Sequence, residues 1–302
     1  MSSRNILNLV LLSIVLALVA IVVFEPGQTP KATNPALTNL KQENIHHILI
    51  QRDTGKDVEL KKINGVWQML KPYPLLANDF RVQSLLRLAE TNSYSRHDLA
   101  TLDIKKFGLD TSHAKITFNQ QAPIIFGGND ALQQQRYIQI NNTLHLIDDT
   151  YYFQMGAQAT VFSDHGLLSG KKNIVKIELP KLTIELKEGK WQSTPHNQNI
   201  SADAFTALMN RWRNTQAVEM QPVNKISSDV TAKVYFKNEK EPLVFYIQNT
   251  KGKKGKTALI RKDINLSYKL NTDQIEKLLN LTTEDKNTAA EENSTTTDSK
   301  TP

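Results

Sequence analysis

The chain has 302 residues, 39% hydrophobic and 22% charged, with a formal net charge of +7. That composition fits a folded protein, and the length allows two ordinary domains with extensions. There is no cysteine, which excludes disulfides, thiolate metal sites and a cysteine nucleophile but leaves the compartment open.

Residues 6–24, ILNLVLLSIVLALVAIVVF, carry no charge and only Asn8 and Ser13 as polar interruptions. As a helix this run is about 28 Å long, close to the thickness of a bilayer core. Arg4 and the amino terminus precede it; Glu25, Pro26 and Gly27 follow. The positive-inside rule therefore predicts residues 1–5 in the cytoplasm and the bulk of the chain outside. A cleaved signal peptide has a shorter apolar core and a small-residue cleavage site; here Leu18-Val19-Ala20 lies inside the run. The expectation is an uncleaved transmembrane anchor over 6–24, and a lipoprotein is excluded without a cysteine to acylate. Residues 25–44 hold three prolines, a glycine and many small polar residues, the composition of a linker. At ~3.1 Å per residue it would reach about 60 Å.

Beyond the linker the chain repeats itself. "NGVWQMLKPYPLLANDF" begins at Asn64 and "EGKWQSTPHNQNISADAF" at Glu188. After each tryptophan, Trp67 or Trp191, comes a good helix N-cap, Asn78 or Ser201. Behind the caps, Val82, Leu85, Leu86 and Ala89 match Phe205, Leu208, Met209 and Trp212. Each set is spaced i, i+3, i+4, i+7, one apolar helical stripe, and all four pairs share an offset of 123. "IHHILIQ" and "DVELKKI" predict strands before Trp67; "IVKIELP" and "LTIELKE" predict them before Trp191. Asn64-Gly65 and Glu188-Gly189 turn the chain just ahead of each tryptophan. "PIIF" at 123 answers "PLVF" at 242. Later hairpins turn at Asn141-Asn142 and near Asp263.

The expected fold class is therefore α+β. Two tandem related units, 45–165 and 166–281, would each be an antiparallel sheet with one covering helix, following the N-terminal transmembrane helix. The repeated tryptophan serves as an aromatic anchor beneath each helix. "DIKKFGLD" at 103–110 has no clear match in the second unit, and "DDTYYFQMGAQATVFSDHGLLSG" predicts a helix and loop packing the units together. Residues 282–302 have almost nothing apolar and are expected to be disordered.

The charge is uneven. Residues 45–165 hold 12 Lys and Arg against 12 Asp and Glu; residues 166–281 hold 20 against 11. Lys251, Lys253, Lys254 and Lys256 concentrate the excess in one loop and form a candidate contact for something anionic: lipid headgroups, an acidic polymer or an acidic envelope protein. The plainer alternative is a solvated lysine-rich hairpin tip. No aromatic residues are interleaved with these lysines, and the anchor places them outside the cytoplasm, so nucleic acid is not an expected partner.

No residue set names a reaction. Ser163-Asp164-His165 has triad residue types, but neighbours in sequence do not point at one another and no nucleophile elbow surrounds the serine. His46-His47 would face opposite sides of a strand, and His97, His113, His145 and His196 lack metal-ligand spacing. Gly127-Gly128 predicts a turn rather than a phosphate cradle. Asp148-Asp149 is expected to turn the chain and cap the next helix. Glu178 and Glu185 alternate with apolar residues, as on a solvated sheet face. No catalytic, cofactor or metal residue is expected.

The strings "GVWQMLKPYPLLANDF", "KKFGLD", "IIFGG", "RYIQI", "SDHGLLSG" and "IVKIEL", after an N-terminal anchor, resemble the bacterial family of domain of unknown function 4340 over about residues 45–250. Where that family shows a basic "DRRL"-like string, this chain has Asp164-His165-Gly166-Leu167. The resemblance implies an envelope protein of the bacterial inner membrane, single-pass with the bulk periplasmic, and possible auxiliary service to an ABC-type export or gliding-motility system. The functional expectation is a non-enzymatic binding or scaffold module; the alternative is an envelope hydrolase or small-ligand binder with a site between the units.

Overall fold

The computed structural model describes residues 3–24, 34–112, 114–130, 134–171, 173–196, 200–250 and 256–281. The apolar run forms helix α1 (Ser3–Phe24). Its side chains are described from residue 4 to residue 20, and all of these are exposed. Among the described residues no helix is long and apolar enough to cross a membrane, so the expected transmembrane character of α1 rests on the sequence alone.

The first unit comprises β1 (His47–Arg52), β2 (Val58–Ile63), β3 (Val66–Lys71), β4 (Leu75–Leu76), α2 (Asp79–Ala89), β5 (Ser95–Asp98), β6 (Ala114–Phe118), β7 (Ile124–Asp130), β8 (Gln135–Ile140) and β9 (Thr143–Asp148). After the short helix α3 (Tyr152–Met155) the second unit follows: β10 (Ile174–Leu179), β11 (Leu182–Lys187), β12 (Lys190–Thr194), α4 (Ala202–Asn214), β13 (Glu219–Pro222), β14 (Thr231–Phe236), β15 (Leu243–Thr250), β16 (Lys256–Arg261) and β17 (Leu266–Lys269). Helix α5 (Thr272–Leu279) closes the described chain.

The two sheets repeat one plan. The first runs β4-β3-β2-β1-β6-β7-β8-β9-β5 and the second β12-β11-β10-β14-β15-β16-β17-β13. Leave out β4 and the orders coincide strand for strand. One register coincides as well: Ala114 faces Phe126 in one sheet, and Ala232 faces Phe245 in the other. The order dictates two crossings. α2 or α4 must carry the chain from one side of the sheet to the far edge, so its apolar stripe covers the inner face. The return from β5 or β13 to the middle of the sheet must then cross the outer face.

Local chemistry sets the hairpins and helix starts. Asn64 and Gly65 both adopt positive φ (49° and 81°), as do Glu188 and Gly189 (49° and 75°), the signature of tight two-residue hairpins between β2 and β3 and between β11 and β12. A cis proline follows each tryptophan strand, at Pro72 and Pro195. The Asn78 side chain accepts from the Arg81 backbone N–H, and the Ser201 hydroxyl accepts from that of Ala204, so both expected caps form. All eight stripe residues of α2 and α4 are buried. Trp67 is buried, whereas Trp191 is only partly buried against the same core; the anchors are equivalent in place but unequal in depth. One contiguous apolar core runs through both units.

Three expectations need correction. The linker does not extend to residue 44: Leu37 is buried, Ser93 N–H donates to the Pro35 carbonyl, and Leu37 and Thr38 N–H donate to the carbonyls of Thr91 and Ala89. This docking leaves at most residues 25–34 as spacer, about 30 Å at ~3.1 Å per residue. Gly127-Gly128 is not a turn but part of a bulge within β7, where the register to β8 shifts between Phe126 and Asn129. A Cβ on Gly127 would lie 2.5 Å from the Phe107 carbonyl oxygen. The "KKFGLD" segment crosses the outer face here, and its Phe107 packs edge-on against Tyr137 with Leu99, Leu109 and Leu144 nearby. Asp149 does not cap α3: the Arg136 guanidinium donates to both its carboxylate oxygens and lies over the Tyr152 ring at 3.7 Å. The disorder expected at 282–302 falls outside the described residues.

Candidate functional site

Residues 156–169 lie between the units and bond to each. On one side Asn78 N–H donates to Phe162 O, Asp164 N–H to Leu76 O and Leu76 N–H to Ser169 Oγ. On the other, Ala217 N–H donates to His165 O and Leu167 N–H to Thr215 O. The segment thus continues hydrogen bonding from β4 of the first sheet towards β13 of the second. It is built from the sequence that resembles no ordinary loop, TVFSDHGLLSG, because Phe162, Leu167 and Leu168 are all buried in the shared core.

This use explains Ser163, Asp164 and His165. Ser163 is wholly buried and donates to Thr160 O, and the Asp164 carboxylate accepts from Gly166 N–H. The His165 ring sits between the carbonyls of Ala217 and Thr160, at 3.3 and 3.2 Å. Ser163 and His165 share the Thr160 carbonyl and Asp164 holds the Gly166 N–H, so each side chain bonds backbone and the three do not bond one another.

Beside the segment opens a cleft of about 340 Å³. Arg52, Lys56 and Tyr73 come from the first unit, Gly156, Ala157 and Thr160 from the connecting segment, and Pro222 from β13. The Arg52 guanidinium stitches the walls together: it donates to the Lys56 carbonyl at 3.0 and 2.8 Å, to Met155 O at 3.0 Å and to Ala157 O. Burial lowers the Arg52 pKa, with Asp57 opposing, and burial pushes the Tyr73 phenol up. The Lys56 ammonium lies over the Tyr73 ring at 5.3 Å. Among the described residues lining this cleft none is acidic. It offers cations, an aromatic face and small apolar surface, and no carboxylate or histidine among its described lining. Sequence reasoning missed it, because its walls come from four separated stretches and its Arg52 guanidinium bonds only backbone.

A second cleft, about 470 Å³, backs onto Arg52 and carries Asp53, Asp57 and Asp110 with Lys115. Among the described residues no group of three acids or histidines could hold a metal ion. Of the scattered histidines, His145 is 5% exposed, contacts Ser93 Oγ through Nδ1 at 3.0 Å, and burial with nearby Arg96 lowers its pKa to about 4. His47 meets Glu59 at 3.1 Å.

The outer face of the second sheet is charged, as the alternation of Glu178 and Glu185 predicts. Lys176 and Lys233 both pair with Glu178, at 2.7 and 3.2 Å, and hold its pKa down to about 2. The first sheet has a smaller analogue in Glu59 with Lys71 and His47. Of the candidate anion contact, Lys251, Lys253 and Lys254 lie outside the described residues, and Lys256 opens β16.

A family model described as a domain of unknown function (DUF4340) matches residues 67–233. That span reaches from the first tryptophan across the connecting segment to β14. No curated protein and no solved structure matches the chain.

Proposed function

The chain belongs to the family of domain of unknown function 4340, and on that premise we propose that it is a membrane-anchored, non-enzymatic binding or scaffold protein of the bacterial envelope. The observation that carries this reading is architectural. One sheet plan is used twice, and the two copies are tied by residues 156–169 through shared hydrogen bonds and a shared core. The triad-like residues are committed to that tie, so the construction serves surface and rigidity. The uncharged run 6–24 supports a single crossing of the cytoplasmic membrane by α1. A spacer of at most ten residues, 25–34, then holds the first unit near the bilayer. The resemblance supports auxiliary service to an export or motility machine, which this chain would join through partners.

The second unit, with 20 Lys and Arg against 11 Asp and Glu, is the proposed contact surface for an anionic lipid, polymer or protein. The test replaces Lys251, Lys253, Lys254 and Lys256 with glutamine in the full chain. Binding to vesicles containing anionic lipid is then measured across salt concentrations, and four lost charges are expected to weaken it at ~1 kcal/mol per lysine near the surface. Binding that is unchanged at moderate salt for vesicles, acidic polymer and acidic protein alike rejects the basic contact.

A further inference from the structure

We propose that the cleft between the units binds a small amphipathic anion, an aliphatic or aromatic body carrying one carboxylate or phosphate. At about 340 Å³ the cleft lies at the small end of the ~300–1,000 Å³ range of ligand pockets, which fits a small molecule and not a polymer. Its charge is one-sided. Arg52 and Lys56 line it, no acidic residue among those described does, and Asp57 stands on the other side of Arg52 in the neighbouring cleft.

The two cations play different parts. Arg52 has turned its donors to the carbonyls of Lys56, Met155 and Ala157. Carbonyls solvate a guanidinium without cancelling its charge, so it contributes a fixed positive potential from the cleft wall. Lys56 is exposed and rests over Tyr73 at 5.3 Å, leaving its ammonium donors free to meet an anionic head directly. The body of the ligand would lie on the Tyr73 ring, Ala157, Ala159 and Pro222. Because these walls belong to both units and to the segment joining them, occupancy would brace the junction. This reading stands apart from the scaffold proposal: it holds or fails whatever the membrane topology and whatever the lysine loop binds.

The test uses the full chain in detergent, with 4-phenylbutyrate as probe and 4-phenylbutylamine as its cationic counterpart at matched ionic strength. Melting is followed by tryptophan fluorescence. The acid is expected to raise the melting temperature by about 3 °C once it reaches ten times its dissociation constant; the amine is expected to leave it unchanged. Lys56→Glu should weaken the acid by about ten-fold or more. Gly156→Leu provides a second route, since nothing lies within 4 Å of a Cβ built at Gly156; the side chain should fill cleft space and abolish the shift without disturbing the fold. No shift with the acid, equal shifts with acid and amine, or a shift that survives both substitutions overturns the proposal.

Discussion

His145 gives the sharpest test of the packing, because the internal repeat supplies its own control. The row across the first sheet runs Ala114, Phe126, Ile138, His145, Arg96. The same row across the second runs Ala232, Phe245, Arg261, Leu266, Pro222. The counterpart of His145 is therefore Leu266, wholly buried, so the repeat holds a leucine at the equivalent place in its second copy. The native His145 pKa is lowered to about 4 from 6.5, so the unfolded state binds the proton more readily. A lowered histidine pKa means stability is full above 6.5 and is lost as pH falls towards 4. Between pH 7 and pH 5 this one group costs about 2 kcal/mol. His145→Leu removes the group, and Ser93 keeps its hydrogen bond to the Ser95 carbonyl. Urea unfolding of the full chain in detergent, read by tryptophan fluorescence, should show that loss for the parent and little of it for the variant. An identical decline in both proteins would refute the burial assigned to His145.

Other outcomes follow from single contacts. Gly127→Val drives a side chain into the Phe107 carbonyl and Leu109, and should cost about 1–3 kcal/mol in urea unfolding; Gly156→Ala, in open space, should cost nothing comparable. Trp212→Ala removes a wholly buried ring that donates from Nε1 to Leu278 O and packs on Phe245 at 5.5 Å, a loss of about 3–5 kcal/mol, with α5 becoming readily cleaved by added protease. Glu178, its pKa lowered to about 2 by Lys176 foremost, stabilises the protein above pH 4.5 and ceases to as pH falls from there towards 2. Glu178→Gln should therefore flatten acid unfolding in that range, by about 1 kcal/mol once screening at a partly exposed site is allowed for.

What the sequence disclosed was local. Asn78 and Ser201 announce helix starts by side-chain chemistry, and the stripes behind them announce which face is buried. The hairpin at Asn64-Gly65 needs only two residues to be read. Features that depend on distant chain were hidden. Leu37 sits in a short stretch without strand or helix periodicity, and only the edge beside Asn92 shows why it docks. The two glycines of β7 look like a turn until Phe107, twenty residues earlier, is laid against them. β4 and α5 are too short, or too weakly patterned, to stand out. The strand order itself comes from two crossings of the sheet, which no short window contains. The cleft was hidden for the same reason: Arg52, Tyr73, Ala157 and Pro222 share nothing along the chain.

The central claim, a duplicated body held outside the cytoplasm by α1, is most directly tested by single-cysteine accessibility, which the cysteine-free chain makes clean. Ser3→Cys and Lys190→Cys would each be exposed, in intact spheroplasts, to a maleimide that cannot cross membranes. Labelling at position 190 without labelling at position 3 until the cells are lysed is the predicted result. Protection at 190, or equal labelling of both positions before lysis, would contradict it.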